Sequence, residues 1–489
     1  MKYMGMFSGA QGFSMLLGIV KNKAAAKFLG TYGLGMMAMC NRTLQMISDA
    51  TGLGLSFSGV RALSNAYAKS DSDVKRCIKV IRSIALFTGL LGMLLMLVVA
   101  PFINMWLFDG GEFFLLRLML LSPVLLFMAV TNGELAVLRG TQNLARITIY
   151  ITAIAIPTLL VSVPLYIFMG LDGIFLSIFL VALIQMCIIL LLSSSLYRYE
   201  SSPFSFSVLK EGSDIVKLGI GYMFVAMLSS LVLWLIYAIL KSCGGNEVAG
   251  IFNAGFVIMM MLPGILFSAF DSEYYPRLAS VISDKNKANV IVNEQVEVQL
   301  LVQSPLLMTF VAVMPILVPL FYDKAFAPAI SMAQIGMFGM FVRTLTYPLS
   351  YLSISKNETR LYVLLESVYN AILLFFVVAG YNMCGFIGVG AGMALAHVCD
   401  FLMLQMVATK RYGLKLSKSM WRIFFIQLTL FLCVIALSLQ YESMPFLWLL
   451  SSIFLLLSFV VSIKKIREKV TVYGRLKNYI KKFLMIFKR

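Results

Sequence analysis

The chain has 489 residues, is 60% hydrophobic and 13% charged, and carries a formal net charge of +18. Soluble domains carry about 25% charged residues, so this composition and a mean hydropathy of +0.91 exclude that class. Apolar stretches of about 20 residues recur from end to end, the length a helix needs to cross hydrocarbon, whereas a membrane β-barrel shows short alternating segments. In such a chain the location of the basic residues matters more than their sum, and no nucleic acid partner is expected.

Fourteen spans are expected in chain order, near residues 7–29, 35–60, 83–105, 115–138, 147–169, 173–196, 218–240, 248–270, 298–321, 329–354, 361–380, 385–409, 423–440 and 444–463. Ala24-Ala25-Ala26 mimics a signal-peptidase site. Only Lys2 precedes the apolar run, however, and Lys21 and Lys23 interrupt it, so the first span is expected to stay in the mature protein. Assigning the N-terminus, the even-numbered connections and the C-terminal tail to one side gathers 32 Lys and Arg there. The odd-numbered connections hold three: Arg117, Lys241 and Lys324. Basic loops stay inside, so both termini are expected to be cytoplasmic.

The sequence repeats at an offset of 213 to 215 residues. Residues 29–35, L-G-T-Y-G-L-G, fall on residues 244–250, G-G-N-E-V-A-G; Pro101 and Asp109 fall on Pro315 and Asp323; Asn143 and Arg146 fall on Asn357 and Arg360. Each repeat holds six spans, an even number, so the halves share an orientation and are expected to be related by an axis along the membrane normal, with the substrate site between them. The expected organisation is an N-lobe (1–205, spans 1–6), a C-lobe (206–418, spans 7–12), spans 13 and 14 (419–463) and a basic tail (464–489). In the tail Ile466, Val470, Tyr473, Leu476, Ile480, Phe483 and Phe487 recur every three or four residues among Lys and Arg. That pattern suits an amphipathic helix on anionic lipid.

Five cations lie inside spans: Lys21, Lys23, Lys27, Arg42 and Arg343. Each costs about 2.5–3.5 kcal/mol at mid-bilayer on insertion scales. Lys27, near the outer end, can snorkel; Lys21 and Lys23 lie deeper and point to different faces. Arg42, Gln45, Asp49, Gly52 and Ser56 follow at steps of three and four, a polar or small stripe along span two. Arg42 and Lys23 share a depth, about seven residues from the outer ends of their spans. In the second repeat Lys21, Lys23 and Arg42 fall on Ile236, Ala238 and Val257, so the fold of the duplicate does not require charge there. An anion site built from Lys21, Lys23, Arg42, Gln45, Asp49 and Arg343 is the expectation; an internal Arg42–Asp49 pairing is the structural alternative. His397, the only histidine, lies three residues before Asp400 on one face of span twelve. The pair is either a proton relay or an interhelical contact. The seven cysteines are scattered without a C-x-x-C, and no Walker A, G-x-S-x-G, H-E-x-x-H or dinucleotide fingerprint is present. Neither an enzyme nor a metal or cofactor is expected.

Span one followed by K-F-L-G-T-Y-G-L-G-M-M (27–37) resembles the opening of the polysaccharide flippases of the multidrug/oligosaccharidyl-lipid/polysaccharide exporter superfamily, as do the fourteen spans in two six-helix lobes plus two trailing helices. The resemblance covers residues 1 to about 460. It implies movement of an undecaprenyl-pyrophosphate-linked oligosaccharide across a bacterial inner membrane for O-antigen, capsule or exopolysaccharide synthesis, with a repeat-unit polymerase as a candidate partner. Members that flip the peptidoglycan precursor carry an Arg-Asp pair near the end of span one; here that place reads Lys21-Asn22-Lys23. The rivals are a multidrug cation antiporter of the same superfamily, which needs a carboxylate where span one offers lysines, and a membrane polymerase or glycosyltransferase, which needs a larger outer loop. The topology is tested directly: reporter fusions after Arg198 and Arg411 should read cytoplasmic and one at Gly245 external, and the reverse pattern overturns the orientation.

Overall fold

The computed structural model describes residues 2–107, 112–440 and 446–472. Asp109 and the tail beyond Val472 lie outside the described residues. Every regular element among those described is helical, the arrangement that satisfies all backbone polar groups within one segment in lipid. In order these are α1 (Lys2–Thr51), α2 (Leu55–Tyr67), α3 (Asp71–Leu107), α4 (Glu112–Leu120), α5 (Ser122–Gly140), α6 (Leu144–Met169), α7 (Asp172–Ser194), α8 (Phe206–Glu211), α9 (Ser213–Ala279), α10 (Lys285–Phe321), α11 (Pro328–Ser355), α12 (Thr359–Lys410), α13 (Lys418–Ser438) and α14 (Leu447–Val472), with a 3₁₀ turn at Lys324–Phe326.

Three of these helices are too long for one crossing. The 52 residues of α12 would run about 78 Å at 1.5 Å per residue, more than twice a hydrocarbon core of about 30 Å. Glycines in the left-handed region break them: Gly30 in α1 (φ 66°), Gly245 in α9 (φ 75°) and Gly385 in α12 (φ 59°). Divided at those kinks, the long helices correspond to the fourteen expected spans. Among the described residues nine helices are long and apolar enough to cross a membrane. The long helices α1 and α11 are not among them, and these two carry Lys21, Lys23, Arg42 and Arg343.

The repeat is written into the backbone. Gly30 and Gly245, Gly170 and Gly385, and Gln142 and Asn357 are pairs of positive-φ residues, each pair 215 apart. The turn that follows α5 is duplicated bond for bond: the Asn143 amide donates to Leu138 at 2.8 Å and the Glu358 amide to Ser353 at 2.9 Å. Side chains have diverged while the turns persist.

The chain divides into two compact units, residues 1–251 with 321–323, and residues 252–320 with 324–489. In unit 1 the segment of α1 after Gly30 lies against the start of the segment of α9 that follows Gly245. A Cβ on Gly35 would stand 1.8 Å from the Asn246 carbonyl oxygen, and one on Gly250 would stand 2.0 Å from that of Thr31. These contacts are reciprocal, since Thr31 and Asn246 are themselves repeat partners, and they require glycine on both sides. Around α2, α3 and α5, Leu55, Leu63, Ile78, Ile81, Ile84 and Val137 form a buried core.

Unit 1 also contains a fully buried ion pair. Arg82 of α3 and Glu134 of α5 are each 1% exposed; Nε and Nη2 donate to the two carboxylate oxygens at 2.7 and 3.0 Å. Nη1 donates to the Arg198 carbonyl at 2.7 Å, and the guanidinium lies 4.7 Å from the Tyr199 ring centroid. The pair therefore fastens the segment after α7 to α3 and α5.

In unit 2, α11 packs on α12, and the two segments of α12 pack on each other. Gly336 faces Gly390, and a Cβ on Gly388 would stand 1.8 Å from the Gly380 carbonyl oxygen; the Gly388-x-x-x-Gly392 spacing serves close packing. Phe341 of α11 meets Phe431 and Phe424 of α13. At the end of α12 Arg411 donates to Glu358 at 2.8 Å, and this bond, with Tyr412 as a second donor, holds the Glu358 carboxyl below the usual carboxylate range. A carboxylate held low stabilises above its unfolded pKa, and that contribution disappears as pH falls through the lower folded value.

Removing one member of the buried pair strands the other. Arg82→Ala or Glu134→Ala should each cost about 3–5 kcal/mol, read as a lower unfolding temperature in detergent, while the paired change Arg82→Met with Glu134→Leu should recover most of the loss. An unchanged unfolding temperature in the single variants would contradict this account of the pair.

Candidate functional site

The cations of α1 collect around two buried tyrosines of unit 1. Lys23, whose side chain is exposed, donates through Nζ to the backbone carbonyl of Tyr322. The Tyr322 side chain hydrogen-bonds Asn22 and lies within electrostatic reach of Tyr237. The Arg42 guanidinium, half-buried, sits 5.3 Å from the centroid of the Tyr237 ring and hydrogen-bonds that residue's side chain. Tyr237 and Tyr322 are themselves closed off, at 0% and 1% exposure. Asn22, Lys23, Tyr322, Tyr237 and Arg42 thus form one continuous group, in which rigid aromatic walls carry the mobile cationic heads. A cation on a ring face is favourable where water is scarce. Lys21 is half-buried, and among the described residues no hydrogen bond or ion pair holds it. Lys27 is exposed, 5.6 Å from the Phe28 ring centroid.

The polar stripe of α1 is held by α9. Gln45 donates to both Asp49 oxygens at 3.0 Å, and Ser230 of α9 donates to Asp49 Oδ2. Trp234 Nε1 donates to Thr43 at 2.9 Å. Asp49 is therefore engaged by Gln45 and Ser230. Packing with α9 fixes the azimuth of Arg42.

Arg343 belongs to unit 2, in a different company. Its guanidinium lies 5.5 Å from the Phe267 ring centroid and within electrostatic reach of Glu366, Tyr369, His397 and Asp400. Tyr369 Oη and His397 Nε2 are 3.4 Å apart, with the rings stacked at 5.5 Å. His397 is 3% exposed, and its Nδ1 has no partner among the described residues. The histidine fits because residue 339 is glycine: a Cβ there would stand 2.8 Å from His397 Cδ2. His397 and Asp400 are accordingly part of a five-residue group drawn from α11 and both segments of α12.

The structure thus joins Lys23 to Arg42 in unit 1, and Arg343 to His397 and Asp400 in unit 2. It adds Tyr237, Tyr322 and Tyr369, which sequence reasoning missed. Tyrosine within an apolar span, as at Tyr237 and Tyr369, is a signal that would have found two of them, because a buried hydroxyl needs a partner; Tyr322 lies just beyond the end of α10.

A family model described as polysaccharide biosynthesis protein matches residues 2–282. No curated protein matches the sequence. Among solved structures, the lipid II flippase MurJ in its inward closed conformation is similar with a TM-score of 0.70 at 15% identity, covering 95% of this chain and 99% of that one. An inward-facing multidrug resistance MATE family transporter of the MOP superfamily is similar with a TM-score of 0.63 at 15% identity, covering 84% and 96%. A MOP superfamily transporter from Pyrococcus furiosus, described as having a binding pocket of reversed polarity, gives 0.56 at 15% identity, covering 84% and 94%. At these identities the likeness is one of fold, and it agrees with the all-helical architecture expected from the sequence. By its family match over more than half its length, this multi-pass membrane protein belongs to the polysaccharide biosynthesis protein family and has the fold of MOP superfamily transporters.

Proposed function

We propose that the chain is a flippase that moves an undecaprenyl-pyrophosphate-linked oligosaccharide repeat unit between the leaflets of the bacterial inner membrane by alternating access. The observation that carries the reading is the group of Lys23 and Arg42 around Tyr322 and Tyr237. It puts two cations at one place in a membrane helix, while the repeat partners of Lys21 and Lys23, Ile236 and Ala238, are fully buried apolar residues. A charge that the duplicate fold does without serves something other than folding. A cation–anion pair at 4 Å contributes about 1 kcal/mol in water and about 4 kcal/mol at an effective dielectric near 20. A diphosphate met by Lys21, Lys23 and Arg42 in a partly dry site therefore has its lost hydration offset. The reading assigns the hydroxyl groups of the sugar to Gln45 and Asp49, one and two turns along α1. Arg343, expected with the anion, has two acids for neighbours in unit 2, so this proposal rests on the unit 1 cations.

The family match and the lipid II flippase among the similar structures support this reading. A multidrug antiporter is the second reading, drawn from the MATE structure and from the Asp49 carboxylate in α1. The two separate on charge. Lys23→Ala and Arg42→Ala should each reduce surface polysaccharide export at least tenfold at normal protein level, with Lys27→Ala mild. Normal export in both variants, or a change in drug tolerance without a change in export, overturns the flippase reading.

Energy coupling is assigned to the unit 2 group, on the strength of Asp400 and Glu366 sharing a site with His397 and Arg343. Asp400→Asn should impair flipping in vesicles severalfold without lowering membrane abundance and should remove any response to an imposed pH gradient. If wild-type flipping ignores that gradient, the group is structural.

A further inference from the structure

One face of α10 takes part in neither of these groups. Gln295, Gln299 and Gln303 recur at every fourth position, so they stack along one side of the helix about 6 Å apart. Gln299 and Gln303 are completely buried and Gln295 is 7% exposed. Five of their amide atoms, Nε2 of all three with Oε1 of Gln299 and Gln303, have no hydrogen-bond partner among the described residues. Buried amides in folded proteins are almost always hydrogen-bonded, and each glutamine has two donors and two acceptor sites to satisfy.

The ends of this ladder differ. Toward Lys285 the same helix is polar and fastened to the segment before α13: Asn293 donates to Lys415 at 2.9 Å, and Ser417 donates to Asn293 at 2.7 Å and to Glu297 at 3.1 Å. At the other end the next position of the stripe is Leu307, which is buried and apolar. Depth follows from the neighbouring helix. Gln334 of α11 donates to the Val311 carbonyl at 3.3 Å, and α10 and α11 run antiparallel across a short turn, so Gln303 is level with Val342 and Arg343. Gly339 of α11 stands beside Ala394 and His397 of α12, which puts Arg343 level with Asp400.

We propose that Gln295, Gln299 and Gln303 hold a file of internal water molecules, running from the Lys285 end of α10 to the depth of Arg343 and solvating the group of Arg343, Glu366, His397 and Asp400 from that end. The chemistry selects water as the occupant. The unpartnered atoms include both donors and acceptors, they are buried, and one water supplies two donors and two acceptors. His397 Nδ1, a sixth buried orphan at that depth, is a fitting terminus. The inference concerns unit 2 alone and does not depend on the flippase reading.

Radiolytic hydroxyl labelling of the full chain in lipid nanodiscs in ¹⁸O-water tests it, because bound water produces the radical beside residues that bulk solvent does not reach. Leu307 and Met308 border the ladder and are fully buried; Met36 and Met39 of α1 are equally buried and serve as controls. The file predicts labelling of Leu307 and Met308 at least several-fold above the controls, and its loss in the triple variant Gln295→Leu, Gln299→Leu, Gln303→Leu. Labelling of the wild-type chain at the control level overturns the proposal, as does a triple variant that labels like the wild type. The wild-type comparison stands by itself if the triple variant does not fold.

Discussion

The rest of this structure follows from one constraint: an ionised or hydrogen-bonding group taken out of water must be met by protein. In the Arg82–Glu134 pair the requirement is met in full, with two bonds between the ions, further bonds to backbone carbonyls and an aromatic face. That arrangement is the signature of a structural charge, since its valences are closed and nothing else has room to bind. The cations of α1 are arranged differently. Their heads lean on a tyrosine ring and a backbone carbonyl.

The helical architecture was legible because its determinants are one-dimensional: apolar length, the glycines between adjacent spans and the sidedness of Lys and Arg. The repeat was legible too, although Asn143 and Asn357 were aligned one residue out of step with the turn, where Gln142 and Asn357 share the positive φ. What the sequence conceals is azimuth. Depth along a span can be counted from its ends, so Lys23 and Arg42 were expected at one level. Which helix each would face depends on packing that no count reveals, and Arg343 ended in the company of acids.

Two omissions have the same origin. Arg82 lies at the edge of an apolar run and reads as one more basic residue of a connection, yet it is among the most buried side chains of the molecule. Glu134 gave the clue, because an acid inside a span implies a partner. Gln295, Gln299 and Gln303 went unread because glutamine carries no charge to draw the eye. Their fourfold spacing beside Glu297 in E-Q-V-E-V-Q-L-L-V-Q-S (294–304) is as periodic as the stripe of span two.

The glycine contact between α1 and α9 has a mechanical side. Where Gly35 meets Asn246 and Gly250 meets Thr31, backbone touches backbone. Two helices joined this way can roll over one another by a few degrees without any rotamer having to change, since interdigitated side chains are what make packed interfaces snap between discrete states. A leucine at either glycine would act as a wedge between the two backbones, and even a mutation that left the protein folded would stiffen this joint.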